Sequence, residues 1–272
     1  MPLERGFDVK KRLLAALLAL PILAVILCWF SCSHQQASVA MTQEDRLSLA
    51  DQLSSRGKCT QAILQYEKLL AEFPRPQVAE TAKFNLARCR MDLGEYDLAV
   101  TEFEDFIDSY PRSNQVDDAM YMVGLCDLRQ SPRVERDQSK AIEALNQLNL
   151  LLRKYPDTDV REAAEKSIME ARSRLAEKEY LNGQLYLKLR DYKSAGIYFD
   201  YVISEYGGTP WAQQALVAKG MALEGEGKPD EAGQVYQRVI KDFPSSGPAD
   251  QAARRLKELG GGSDKKTETS SQ

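Results

Sequence analysis

An all-α solenoid of about five helix-turn-helix units is the fold this sequence predicts, with an elongated helix at the start of the fourth unit. Three observations carry that expectation. The stretch Gly94–Pro111, GEYDLAVTEFEDFIDSYP, places Ala99, Phe103, Phe106 and Tyr110 at offsets 0, 4, 7 and 11, with Pro111 directly after. Those offsets share one face of a 3.6-residue helix. The proline stops the helix and biases Tyr110 away from the helical region. Four more copies keep the register: Ala62, Tyr66, Leu69, Phe73, Pro74; Ala144, Leu148, Leu151, Tyr155, Pro156; Ala195, Phe199, Val202, Tyr206, Gly207; and Ala232, Tyr236, Val239, Phe243, Pro244. In the fourth, Gly207 stands in for proline as the stop. A small residue also precedes each stripe, at Ala50, Ala87, Gly124, Gly183 and Gly220, where it lets two antiparallel helices touch.

Gly57, Gly94 and Gly227 each lie five residues before an anchor alanine, where a helix-helix turn needs glycine. Small residue, turn glycine, alanine, aromatic and closing proline together resemble the tetratricopeptide repeat, a unit of about 34 residues. One such unit cannot bury its stripe alone, so the resemblance implies stacked neighbours with a binding groove. Burying each aromatic contributes roughly 1.5–3 kcal/mol, so the stripes serve cohesion first.

In chain order, residues 1–31 come first as a signal segment. Arg5, Lys10, Lys11 and Arg12 precede the apolar run Leu13–Phe30, the layout of an export signal. Ser31-Cys32 then resembles the bacterial lipobox, in which cleavage leaves the cysteine lipid-modified; this marks Cys32 for lipidation. Trp29 and Phe30 are bulkier than that pattern favours, and the competing reading is an uncleaved anchor, since the run can just span a bilayer. Residues 32–42 show no periodicity and read as a flexible tether.

The repeat domain is expected over 43–259. Glu44–Arg56 opens it, with Leu47, Ala50 and Leu53 on one face. Ser113, Thr158, Thr209 and Ser246 sit two residues past successive stops, where N-caps are needed. Two gaps break the period. From stop to next anchor is 25 residues after Pro74 and after Gly207, but 33 after Pro111 and 39 after Pro156. Arg129–Ser139 (RQSPRVERDQS) is proline-interrupted and polar, which predicts a longer surface loop. Val160–Arg190 holds no proline and can run as one helix, projecting beyond its neighbours either as a docking surface or as reinforcement. Ala249–Leu259 reads as a capping helix, and the low-complexity residues 260–272 as a disordered tail.

Composition narrows the function. With 272 residues, 43% hydrophobic and 28% charged, the chain can bury a core. Its net charge of −4 gives no support for nucleic-acid binding. The single histidine, His34, precedes the repeats, so no Ser-His-Asp, Cys-His or histidine metal arrangement can form within them. Carboxylates are scattered along exposed helical faces. Neither catalysis nor a cofactor or metal is expected. Cys59, Cys89 and Cys126 read as small buried helix residues, with a disulfide as the alternative in an oxidising compartment.

A signal with a candidate lipid cysteine, followed by five such units with the third and fourth stretched, resembles the BamD family of outer-membrane lipoproteins. The most specific matches are VDDAMYMVGLCDL at Val116–Leu128 and RLAEKEY at Arg174–Tyr180. The resemblance implies a non-catalytic assembly factor at the periplasmic face of the outer membrane, held by a lipid anchor. Its partners would be a β-barrel insertase, other assembly-machine lipoproteins and the C-terminal strands of unfolded outer-membrane proteins. Substrate would sit in the groove of units one and two, where helical phase nominates Arg56, Lys58, Asn85, Arg88, Asp92 and Tyr96. Scaffold contacts would fall on units three to five, with Tyr121, Arg174, Glu179, Tyr180 and Tyr186 as docking candidates; core packing is the competing role for the tyrosines. The second functional reading is a periplasmic scaffold of the CpoB (YbgF) type, which usually carries an N-terminal coiled coil. No sustained heptads lie between Ser33 and Glu44.

Overall fold

The computed structural model describes residues 41–72, 76–131 and 137–268. The signal segment, Cys32, Phe73 and Pro74 lie outside the described residues. Contacts divide the chain into Met1–Asp45, of which only residues 41–45 are described, and a compact unit Arg46–Gln272.

All regular structure among the described residues is helical: α1 Gln43–Ser55, α2 Cys59–Glu72, α3 Pro76–Asp92, α4 Tyr96–Ser109, α5 Val116–Gln130, α6 Ser139–Lys154, α7 Arg161–Lys188, α8 Tyr192–Glu205, α9 Pro210–Gly225, α10 Pro229–Asp242 and α11 Gly247–Glu268. From α2 onward successive helices pack on one another, and α1 packs on α2 through Ala50 beside Ala62 and Tyr66, which gives five hairpins and a closing helix among the described residues. A reciprocal pair starts α1: Asp45 N–H donates to Thr42 Oγ1 while Thr42 donates back to the Asp45 carboxylate.

The repeated stripe is the core. Anchor alanine, offset 4 and offset 7 are 0% exposed in all five units, from Ala62, Tyr66 and Leu69 to Ala232, Tyr236 and Val239. At offset 11, Tyr110, Tyr155, Tyr206 and Phe243 are only half-buried, because they end their helices instead of lying on them. Each donates its backbone N–H to the carbonyl of the offset-7 residue. Gly207 stops its helix without the left-handed conformation. Each small residue is a socket for the side chain at offset 4 of the following helix. A Cβ at Gly183 would lie 2.6 Å from Phe199, and one at Gly124 would lie 2.7 Å from Leu148. The close approach is thus of backbone to side chain.

Turn glycines meet their requirement: Gly57, Gly94 and Gly227 have φ of 71°, 77° and 77°. The fourth unit places Arg190 at the same position with φ 61°. A side chain in that conformation costs roughly 1–2 kcal/mol. Arg190→Gly is therefore expected to raise stability by about 0.5–1 kcal/mol, part of the gain being offset by the looser unfolded chain. A thermal midpoint that falls would contradict this.

Four sequence expectations need correction. Of the four hydroxyls read as N-caps, only Ser246 accepts from an amide three residues on, that of Ala249. Ser113 and Thr158 accept from the amide two residues on, because their helices begin later, and Thr209 donates to the Tyr206 carbonyl instead. The loop is shorter than Arg129–Ser139, since α5 runs to Gln130 and α6 starts at Ser139. Its described ends, Ser131 and Gln138, are buried and bonded to each other at 3.2 Å. The 28-residue α7 does not project free. Ala164 and Ala171 pack with α5 and α6, while Ala176 and Tyr180 pack with α8 and α9, so its two halves serve successive interfaces. Finally, α11 continues through Glu268, past the point where composition predicts disorder. No proline interrupts it, and extending a formed helix costs far less than starting one.

Candidate docking surfaces

Alternate helices bring the nominated first-groove residues into two settings. Arg56 and Lys58 are exposed at the α1–α2 turn, and Arg88 and Asp92 are exposed on α3. Asn85 instead belongs to a polar lock. Its amide donates to Asp51 Oδ1 at 3.0 Å, and the Tyr66 hydroxyl donates to the same oxygen at 2.7 Å. Burial first, then the Asp51 hydrogen bond, pushes the Tyr66 phenol well up, so it remains a donor. Tyr96 is half-buried against the second unit's core. Arg88 faces Asp118 of α5, whose carboxyl is raised by burial and by Asp117 and Asp159, with Arg88 opposing. Asp51 and Asp118 were missed by helical phase alone, which says nothing of partners about 30 residues away.

Between α4 and α6, over the edge of α5, opens a groove of about 680 Å³ lined by Glu104, Asp127, Lys140, Glu143, Leu150 and Arg153 among others. Asp127 is buried and bonded to Lys140 at 3.0 Å, and Lys140 also pairs with Glu143 at 2.9 Å. Burial, the largest influence, raises the Asp127 carboxyl against the pull of Lys140. Lys140 is held up by Glu143 first and Asp127 next, against burial. The two shifts show that the pair favours the lysine's charge without repaying the carboxylate's burial. Because the folded carboxyl titrates above its unfolded value, its cost is full at neutral pH and lessens as pH falls through the folded value. Lys140→Met strands the buried anion and is expected to cost about 1–2 kcal/mol at pH 7, discounted because Lys140 is one-third exposed. That deficit should shrink toward pH 5 as the variant's carboxyl takes up its proton. Urea titrations at the two pH values check it; a deficit that grows on acidification would contradict the sign.

In the third and fourth units the docking candidates are engaged within the fold. Arg174 donates to the carbonyls of Leu128 and Ser131, closing the end of α5, and pairs with Glu170. Glu179 accepts from Asn182. Tyr180 packs against Trp211 and Phe199, with ring centroids 5.3 and 5.8 Å away. Tyr186 stacks on Tyr198 at 5.2 Å, and Tyr121 packs beside Leu148 and Leu151. Among its exposed charged and polar residues this hairpin also leaves apolar side chains open. Leu181 and Leu185 on α7 and Leu189 at its cap follow one another at four-residue steps and are 40, 54 and 66% exposed. Ile197 and Tyr201 do the same on α8, at 64 and 47%. A row of exposed apolar side chains at helical spacing is a candidate for covering by a partner.

Residues 40–237 match the model of the YfiO family, described as outer membrane lipoprotein. The chain belongs to that family. Among curated relatives, the outer membrane protein assembly factor BamD of Xylella fastidiosa strain Temecula1 is 27% identical over 243 residues, covering 82% of this chain and 83% of that one. Its counterpart in Neisseria meningitidis serogroup A is 24% identical over 206 residues, covering 72 and 77%. A solved thermophilic TPR protein of Thermus thermophilus aligns over 80% of this chain and 99% of its own, at 19% identity and a TM-score of 0.36. Among the described residues no helix is long and apolar enough to cross a membrane.

Proposed function

We propose that this member of the outer membrane lipoprotein family is a non-catalytic assembly factor for outer-membrane proteins. In this reading the third to fifth units hold a β-barrel insertase and its accessory lipoproteins, while the first two receive the C-terminal strands of unfolded barrel proteins. A lipid on Cys32 anchors the chain to the periplasmic face of the outer membrane. The single observation that carries the scaffolding half is the exposed apolar stripe of α7 and α8. A solvent-facing run from Leu181 to Leu189, with Ile197 and Tyr201 exposed on the next helix, costs solubility unless a partner covers it. The relatives named as assembly factors supply the kind of partner. Substrate reception is supported by the exposed cations Arg56, Lys58 and Arg88 near polar hydrogen-bonding groups, a surface suited to a chain terminus with a free carboxylate.

The test is an affinity pull-down of the tagged full chain from mild-detergent envelope extract, beside a Leu185→Asp, Leu189→Asp, Ile197→Asp variant. A β-barrel insertase should be recovered with the parent chain and at least about tenfold less with the variant, since three apolar contacts of this size are worth several kcal/mol. An unchanged far-ultraviolet spectrum and thermal midpoint would confirm that the exposed changes spare the fold. Recovery of cell-wall or Tol-system proteins in place of an insertase would transfer the chain to the envelope-scaffold reading.

A further inference from the structure

The boundary between the first and second units holds a pair of buried thiols that neither the repeat pattern nor the proposed docking explains. Cys59 opens α2, and Cys89 lies near the end of α3, in the same core cluster with Ala50, Ala62 and Tyr66. Cys89 Sγ contacts Ser54 Oγ at 3.3 Å on one side and the Cys59 thiol on the other. Both are free and buried, at 5 and 0% exposure. Cys126 differs: on α5, it packs against Phe84, Phe103 and Phe106 of the second unit beside Val123 of its own helix, with no other cysteine in that cluster. The three cysteines of the described residues thus fall into one adjacent pair and one isolated thiol.

We propose that Cys59 and Cys89 form a disulfide that fastens the first repeat unit to the second. The two residues belong to α2 and α3, the helices that meet across the boundary between these units. Among the described residues the first unit has a repeat neighbour on one side only, and such a unit opens most readily in a stacked array. A covalent link at its one inner boundary limits that opening where it matters most. The reaction balances as an exchange. One cysteine thiolate attacks the S–S bond of a disulfide-bearing oxidant and expels one thiolate. The second cysteine then displaces the other, so the protein's two S–H groups become one S–S bond and the oxidant leaves as two thiols. Burial holds the Cys89 thiol up to about 11, and both sulfurs are shut away from any oxidant while the unit is closed. Exchange therefore proceeds while the unit is open, during folding or local unfolding, and the bond once closed is sheltered by the same burial. The outer-membrane family supplies the setting, since the periplasm sustains disulfides; the proposal rests on that placement only for meeting an oxidant in the cell.

The experiment uses the purified full chain in mild detergent, unfolded and refolded in buffer with oxidised and reduced glutathione, or with reductant alone. Remaining thiols are blocked with N-ethylmaleimide under denaturing conditions before peptide mapping. The expected result is a linked peptide pair carrying Cys59 and Cys89, with Cys126 bearing the maleimide. The oxidised chain should melt about 5–10 °C above the reduced one, given the 30-residue loop. Cys59→Ser and Cys89→Ser should each abolish that redox dependence, while Cys126→Ser should keep it. Maleimide on both Cys59 and Cys89 after refolding in oxidant overturns the proposal, as does a bond to Cys126, or a melting point indifferent to reductant. None of these readouts depends on an insertase or on substrate, so failure of the assembly-factor reading would leave the result intact.

Discussion

Phe103→Ala is expected to lower stability by about 3–5 kcal/mol, with a thermal midpoint roughly 10 °C down. Phe103 is 0% exposed and meets Phe84 edge-on at 5.6 Å, while Phe84 meets Phe106 at 5.4 Å. Removing the ring deletes one side of that aromatic cluster, and helices packed on both faces leave little freedom to collapse into the hole. The matched comparison is Tyr110→Ala, four residues further along the same stripe from Phe106. Tyr110 is half-buried and ends its helix, so its loss should cost about 1–2 kcal/mol. Phe103 also lies in an interior unit, so its loss weakens boundaries on two sides. In a stacked array that should broaden the denaturation curve, with the C-terminal units outlasting the first two. Equal costs for Phe103→Ala and Tyr110→Ala would mean that offset 4 is not what holds the units together.

That contrast also marks how far the sequence could be read. Offsets 0, 4 and 7 were legible because five copies repeat them and each obeys the same helical phase. Offset 11 looked equivalent by phase, yet the stop that follows lifts it out of the helix, and only the chain geometry reveals that. The turn glycines were legible through a requirement no other residue meets easily, whereas Arg190 in the same role was hidden by its identity. The polar locks were not legible. Asp51 with Tyr66 and Asn85, and Glu224 with Tyr236 and Arg255, join side chains 12 to 34 residues apart, and nothing local distinguishes them from solvated surface groups. The exposed apolar stripe was obscured for another reason. Apolar residues at four-residue steps normally report a buried face, and α7 has buried faces toward two different neighbours. Its third apolar stripe, Leu181 to Leu189, could be assigned outward only once both partners were in place. Arg174 shows the converse, a charged residue that reads as surface but closes the end of α5.

Gly220→Val should cost about 3 kcal/mol or more, against a helix-propensity gain of a few tenths. A Cβ at Gly220 would run into Tyr236 Cε1 and lie 2.6 Å from its Cζ, closer than side chains tolerate. A loose ring could swing away; this one is held. Its hydroxyl donates to Glu224 Oε1 at 2.5 Å, and Arg255 of α11 grips both oxygens of that carboxylate, at 3.2 and 2.7 Å. Burial first and the Glu224 bond next push the Tyr236 phenol well up, so the hydroxyl stays protonated and the hold persists through alkaline pH. The new side chain must therefore separate α9 from α10 or break the lock that joins both to α11. A double-mutant cycle distinguishes this from a generic dislike of valine in a helix. With Tyr236→Ala already present the obstruction is gone, and Gly220→Val should then cost at least about 1 kcal/mol less than in the parent chain. Gly57→Ala provides the opposite control, since nothing lies near its Cβ position and its cost of about 1–2 kcal/mol would come from backbone conformation alone, whatever its neighbours. Strictly additive costs at Gly220 and Tyr236 would show that the socket is not the contact on which α9 and α10 close.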